Sequence, residues 1–379
     1  MKKIVFLLSY IPAPLTWKRI YVLREKWDVG YVCWNKNSGL YQDKNEKNGY
    51  VIHIPASPTE PTKRVRETCI FAMRALRQLK KLKPDCIYTG NLDMLLIAWI
   101  YSLFYKCRII YEIADVHNLL MEKQSKLPFK VLQGGLYHLE KFCSKKVDLL
   151  VLTSEKFYDC YYSRMIPRDR VFIFHNVPSP EAFRHYKKVM HSRFTVGFIG
   201  VIRFVPQLKM LVDAAGKTSV SVMFAGGGLD SREEQEIKDY CKGKEYVHFR
   251  GPYHYDEEIS GLYQMCDCIY SVYDTSLKDI RVALPNKLYE SVLCEVPIIV
   301  AKGTYLERIV KKWNVGVSVS ATDGSELAEA LKRLKTDCDF YNSLVQSCRD
   351  NRSRIDLGVY NSGLTKRVEQ IMTQIGVQT

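Results

Sequence analysis

At 379 residues the chain is longer than one ordinary core organises and suits two domains of roughly 150 to 200 residues each. Its 47% hydrophobic and 26% charged content matches folded globular proteins and excludes disorder. The formal net charge of +15 requires an anionic partner to be considered, whether nucleic acid, a membrane surface or a small substrate, without choosing among them.

The opening Lys2-Lys3 and the apolar run Ile4 to Tyr10 imitate a signal peptide. The run is short, Pro12 and Pro14 follow it and no small-x-small cleavage site appears, so a first buried parallel strand is the reading taken. Short β-rich runs then alternate with helical segments, the pattern of parallel sheets with crossover helices. Strands are expected at Lys3 to Leu8, Val29 to Cys33, Val51 to Ile54, Cys86 to Tyr88, Arg108 to Ile113, Leu149 to Thr153 and Val171 to Phe174. Between the second and third of these and the fourth, Thr62 to Lys83 has a helical period, with Val65, Cys69, Ala72 or Met73, Leu76 and Leu79 on the expected core face. Arg66, Arg74, Arg77 and Lys81 turn away, as an ordinary solvated side or as a docking surface for an anionic inner leaflet. The longest apolar stretch, Met94 to Tyr105, falls short of the roughly 20 residues that cross a bilayer.

Ser179 to Arg193, opened by Pro178 and Pro180 and lacking a strand pattern, reads as a linker. A second series of strands follows at Thr195 to Ile199, Ser221 to Ala225, Val247 to Phe249, Asp267 to Val272, Pro297 to Val300 and Gly316 to Val319. The terminal segment Val359 to Ile375 has one apolar helical face, free to pack on either domain. The expected division is 1–178, a linker at 179–193, 194–356, and a helix within 357–379. The twelve cysteines are scattered without a C-x-x-C pair, as reduced thiols of a cytoplasmic protein would be.

Two parallel sheets facing each other across a cleft would bind a ligand at the carboxyl ends of their strands, where a nucleoside diphosphate is well accommodated. The run Gly226-Gly227-Gly228 after a strand lets backbone approach phosphate, or is a plain tight turn. Gly200, Arg203 and Lys209 follow another strand, and those cations suit a leaving diphosphate or merely face solvent. Lys287 and Glu290 stand one turn apart after Pro285, as a ribose-binding carboxylate with its neighbour or as a simple intrahelical pair. Asp337-Cys338-Asp339 looks like a metal motif, but Asp337 reads better as a helix N-cap.

The stretches Ile110 to His117, Val147-Asp148 with Val151 to Ser154, His175-Asn176-Val177-Pro178, Gly197 to Arg203, Phe224 to Gly228, Val247 to Gly251 and Pro285 to Pro297 run in order along the chain. Together they resemble the group-1 (family 4) retaining glycosyltransferases of bacterial surface-polysaccharide synthesis. That resemblance implies an α/β fold of two facing Rossmann-like domains, the GT-B architecture. It further implies that Arg203 and Lys209 hold the donor diphosphate, Glu290 the ribose, and Tyr253 with Gly251 the base, while Gly200, Gly226, Gly228 and Lys287 shape the same pocket. Asp115 and His117 would face the reacting sugar. The chain departs from the family where Val282 stands for the first of two glutamates spaced by seven residues, with Asp279 or Asp274 as substitutes, and where Ala114 stands for a histidine, with His117 as substitute.

The implied activity is transfer of a sugar, with retention, from a nucleotide-sugar donor to a saccharide or lipid-linked acceptor. No cofactor and no metal are expected, and no protein nucleophile is nominated. The basic residues are spread along the chain without a nucleic-acid-binding signature, so nucleic acid is not expected as a partner. Localisation is expected to be cytoplasmic, with peripheral contact at the anionic inner membrane face. Two other classes stay open: a non-catalytic glycosyltransferase-like subunit, and a nucleotide-sugar epimerase on the same scaffold.

Overall fold

The structure, a computed structural model, describes residues 1–36, 48–55, 61–116, 118–122, 126–189, 191–228 and 231–373. The chain divides into two compact units, Met1–Phe174 with Gly358–Thr379, and His175–Leu357. Segment 179–193, read as a linker, belongs to the second unit, where Ala182 and Phe183 are buried and the Phe183 ring meets Tyr263 edge-on.

In the first unit seven short runs become parallel strands: β1 (Lys3–Leu8), β2 (Asp28–Asn35), β3 (Gly49–His53), β4 (Cys86–Gly90), β5 (Arg108–Ile113), β6 (Leu149–Leu152) and β7 (Val171–Ile173). Their order, β3-β2-β1-β4-β5-β6-β7, reverses between β1 and β4, which is where such sheets open a crevice for ligands. Helices α1 (Pro14–Arg24), α2 (Pro61–Leu82) and α3 (Leu92–Phe104) pack on the sheet, and α4 (Leu127–Ser144) packs on α3. Burial on both faces explains why β1 and β6 read as unbroken apolar runs.

The core face of α2 is rotated from the expected one. Phe71, Ala75 and Leu79 are buried, with Phe71 stacked on Trp34 at 4.9 Å, whereas Val65, Cys69 and Met73 are exposed. The large aromatic surface of Phe71, which a stripe begun at Val65 leaves out, fixes the phase. A second feature unseen in the sequence is Glu140 of α4, which is 1% exposed and accepts hydrogen bonds from Tyr111 (2.8 Å), Tyr161 (2.7 Å) and Tyr162 (2.9 Å). These bonds tie β5, α4 and the chain after Cys160 to one buried carboxylate.

The C-terminal helix Leu357–Thr373 lies almost wholly in the first unit. Leu364, Val368 and Met372 are buried, Tyr360 packs on Phe174 at 5.4 Å, and Lys26 pairs with Glu369 at 2.6 Å.

The second unit holds β8 (Thr195–Ile199), β9 (Ser221–Ala225), β10 (Val247–Gly251), β11 (Cys268–Ser271), β12 (Ile298–Ala301) and β13 (Gly316–Val319), all parallel, in the order β10-β9-β8-β11-β12-β13. The reversal falls between β8 and β11. Helices α5 (Val205–Thr218), α6 (Ser231–Tyr240), α7 (Tyr255–Gln264), α8 (Asn286–Leu293) and α9 (Cys338–Asn351) complete the part that concerns the site. Both units are therefore Rossmann-like. Asp337 caps α9, its carboxylate accepting the Phe340 N–H at 3.0 Å. All twelve cysteines are free thiols. No helix among the described residues is long and apolar enough to cross a membrane.

Docking of the last helix makes a testable demand. Leu364→Ala leaves a cavity under the first unit and lowers its stability by about 2–5 kcal/mol. Denaturation followed by tryptophan fluorescence reads this directly, since four of the five tryptophans lie in that unit and only Trp313 in the other.

Candidate functional site

At the reversal point of the second sheet, β8 runs into Gly200 and β9 into Gly226, both at positive φ, 140° and 127°. A Cβ on Gly226 would lie 2.0 Å from the Gly200 carbonyl oxygen, so glycine is required there for two backbones to pass. Three amides of this turn have partners within the protein. The Gly200 N–H donates to Ala225 O, the Gly226 N–H to Gly251 O and the Gly228 N–H to the Glu234 carboxylate, each at 2.8 Å. That last bond is the first cause holding the Glu234 carboxyl below its ordinary value. Gly226 thus serves close packing, and the Gly226 and Gly228 amides already have acceptors within the protein.

Side chains supply the positive charge instead. Lys287, in the first turn of α8, is 7% exposed, and its Nζ lies 3.4 Å from where a Gly200 Cβ would stand. The ammonium donates to the Tyr273 hydroxyl at 2.5 Å and sits over the Phe198 ring at 4.4 Å. Arg203 lies exposed over Phe204, whose ring packs on Tyr273. Among the described residues neither cation has a carboxylate partner. Burial alone would raise the Tyr273 phenol, but the Lys287 ammonium, its hydrogen bond and then Arg203 outweigh it and hold the hydroxyl below the ordinary tyrosine value. A buried cation answered only by a phenol and ring faces is short of a counter-ion, and that is costly until an anion arrives.

Lys209 is not brought to this place. Leu208 fills the buried position on α5, and the next residue is carried about 100° round the helix. The Lys209 ammonium pairs with Glu236 at 2.7 Å and lies over Tyr240 at 5.1 Å, beside Asp213 and Lys217. Glu290 does lie in the same unit, one turn along α8, but it is 3% exposed and clasped by phenols. Tyr255 donates to it at 2.5 Å and Tyr263 at 2.8 Å. Tyr253 is close enough that burial and then the Glu290 charge push its hydroxyl up to about 12. Val282 is buried in the helix Lys278–Val282, and Asp274 accepts the Ser276 N–H in its own turn.

In the first unit a cavity of about 270 Å³ opens at the reversal between β1 and β4, lined by Tyr10, Thr16, Tyr88, Asn91, Glu112 and Asp115 among others. Glu112 is its best-anchored group: Tyr88 donates to Oε2 at 2.6 Å, and Arg19 donates to Oε1 through Nε and a terminal nitrogen, both at 3.2 Å. Arg19, 1% exposed, is held flat on the Phe174 ring at 3.3 Å. Burial, then Glu112, raises the Tyr88 phenol well above its usual value, so it remains a donor. Tyr88 stacks on Phe6 and is core, as its strand position suggests, whereas Tyr10 is 44% exposed at the cavity. Asn91, Ile113 and Asp115 also line a second, more apolar cavity of about 550 Å³ with Leu92, Leu96 and Leu136. His117 lies outside the described residues. Glu112 sits inside a motif the sequence offers, but Arg19 and Tyr273 carry no sequence signal: each matters only through a partner far along the chain.

The two kinds of phenol give a spectroscopic prediction. Ultraviolet titration shows one tyrosine ionising below about 10, the unperturbed value, while Tyr88, Tyr111, Tyr255 and Tyr263 ionise above it. Lys287→Met abolishes the early step. Linkage gives the two kinds opposite signs. The depressed Tyr273 contributes stability present above about 10 and lost as pH falls through its folded value, and the raised phenols contribute stability complete below about 10 and lost above it.

Comparison with known proteins adds three findings. Residues 193–337 match the family model "Glycosyl transferases group 1". The succinoglycan biosynthesis protein ExoL of Rhizobium meliloti (strain 1021) is 23% identical over 287 residues, 72% of this chain and 69% of that protein. Among solved structures, sucrose-phosphate synthase from Thermosynechococcus elongatus superposes with a TM-score of 0.77 at 12% identity, covering 99% of this chain and 100% of that one. HepE of Anabaena, in complex with UDP-glucose, superposes at 0.72 and 14%, covering 98% and 100%.

Proposed function

From the premise that this chain carries a group 1 glycosyltransferase domain on a GT-B fold, we propose that it transfers a sugar from a nucleoside diphosphate to a saccharide acceptor with retention of anomeric configuration. The observation that carries this reading is Lys287, a buried ammonium at the carboxyl end of β8 that has no carboxylate partner among the described residues, with Arg203 acting on the same Tyr273 hydroxyl. Two cations that both act on the Tyr273 hydroxyl suit a diphosphate, and their help is greatest as the leaving group gains charge. In this reaction an acceptor hydroxyl oxygen bonds to the anomeric carbon and the bond from that carbon to the diphosphate oxygen breaks. The hydroxyl proton passes to the departing diphosphate on the same face of the sugar. No protein nucleophile takes part in this scheme, because the acceptor oxygen itself attacks the anomeric carbon, and the charge developing on the diphosphate is met by Lys287 and Arg203 without a metal.

Likeness to the Anabaena protein supports uridine diphosphate as the donor nucleotide, and Glu290 with Tyr253 then marks the ribose and base end of the pocket. Likeness to the succinoglycan protein supports a growing surface polysaccharide, carried on a lipid at the cytoplasmic face of the membrane, as the acceptor. The acceptor sugar is assigned to the first-unit cavity, where Glu112 and Asp115 offer carboxylates to hydroxyl groups and Tyr10 an aromatic face.

Uridine diphosphate raises the melting temperature of the wild type by binding the folded state. Lys287→Met and Arg203→Ala each weaken that binding by about ten- to a hundredfold, the usual range for a charge-assisted contact. Lys209→Ala leaves it unchanged. No shift with any nucleoside diphosphate overturns the donor assignment. Glu112→Gln, tested with a saccharide acceptor, raises the acceptor KM roughly tenfold while leaving nucleotide binding as it was. Equal loss of both assigns Glu112 to folding instead.

A further inference from the structure

Helix α4 breaks the rule that the solvent side of a helix is polar. Leu127, Val131, Gly135, His138 and Phe142 follow one another at spacings of four, four, three and four residues, so they share one face, and all are exposed. Leu127 is 73%, Val131 67% and Phe142 49% exposed. The opposite face, through Leu136, Glu140 and Cys143, is the one turned into the unit. A helix apolar on both sides is normally buried on both sides. Its neighbour continues the pattern: Trp99 of α3 meets Phe142 at 5.0 Å, and one turn further on Leu103 and Phe104 are 51% and 76% exposed.

The exposed charges of α4 itself have one sign. Lys126, Lys130, Lys141 and Lys145 are exposed on or beside α4, and its single acidic residue is the buried Glu140. Exposed apolar side chains stand toward both ends of this 18-residue helix with lysines beside them, Leu127 and Val131 with Lys126 and Lys130, and Phe142 with Lys141 and Lys145. That combination fits a flat, anionic, deformable surface better than a protein partner. We infer that the face formed by α4 and the end of α3 docks on an anionic lipid bilayer, with Leu127, Val131, Phe142 and Phe104 entering the interface and the lysines meeting lipid phosphates. This deepens the lipid-linked acceptor reading, on which it rests, and places docking on α4 instead of the basic side of α2.

The full-length protein is sedimented with vesicles of phosphatidylcholine alone and of phosphatidylcholine mixed with phosphatidylglycerol, and its mass in solution is measured by light scattering. Binding is expected to the anionic vesicles, to weaken with salt, and to fall about tenfold or more in Val131→Glu/Phe142→Glu, which removes apolar contact and adds repulsion. Val65→Glu, on the exposed side of α2, binds as the wild type does. The inference is overturned if the double variant binds like wild type, if wild type ignores anionic vesicles, or if the double variant merely splits a dimer that never bound lipid. A uridine diphosphate melting shift on the same samples separates the readings. Vesicle binding without a nucleotide shift sinks the donor assignment alone, and a nucleotide shift without vesicle binding sinks the docking face alone.

Discussion

A lysine ammonium that is nearly sealed from water, held by one phenol and the faces of two rings, sets the terms for everything around it in the second unit. Around it Gly200 turns at a positive φ that favours glycine, and Phe198 and Tyr273 present their rings to the ammonium at 4.4 and 5.0 Å. Glu234 and neighbouring carbonyls already accept from three of the turn amides, so in the proposed reading the charge that meets an anion is carried chiefly by side chains.

The same chemistry recurs with the sign reversed. Three carboxylates are held by hydroxyl donors in place of bulk water: Glu140 by three tyrosines, Glu290 by two, and Glu112 by one tyrosine with an arginine. Phenols are well suited to this work, since each brings a large apolar ring into the core and a single donor to the charge. Glu112 lines the first-unit cavity, Glu290 stands one turn along α8 from Lys287, and Glu140 fixes the helix that carries the proposed docking face. The twenty-five tyrosines of the chain are thus partly a solvent for its buried acids.

Much of the architecture was readable because it depends on local pattern. Strands β1, β5, β8, β9 and β13 have the very bounds their apolar runs suggest, and the thirteen strands fall into two series because helical segments separate them. What failed was phase and reach. Lys209, read together with Arg203 as a cation for the diphosphate, pairs with Glu236, one residue round α5 from the buried Leu208. The face of α2 was misplaced by a choice between two overlapping stripes. Arg19 with Glu112, and Tyr273 with Lys287, are pairs separated by many residues, and spacing in sequence holds no information about such meetings.

The path of the chain has a consequence for how the molecule is made. The second unit is contained in one continuous span, whereas the first lacks Leu364, Val368 and Met372 until that span has been synthesised. On the ribosome, then, the later unit can close while the earlier one still waits with an uncovered flank around Phe172 and Phe174. Chain order and order of completion run opposite ways, and the interval between them is when a chaperone has the most apolar surface to hold.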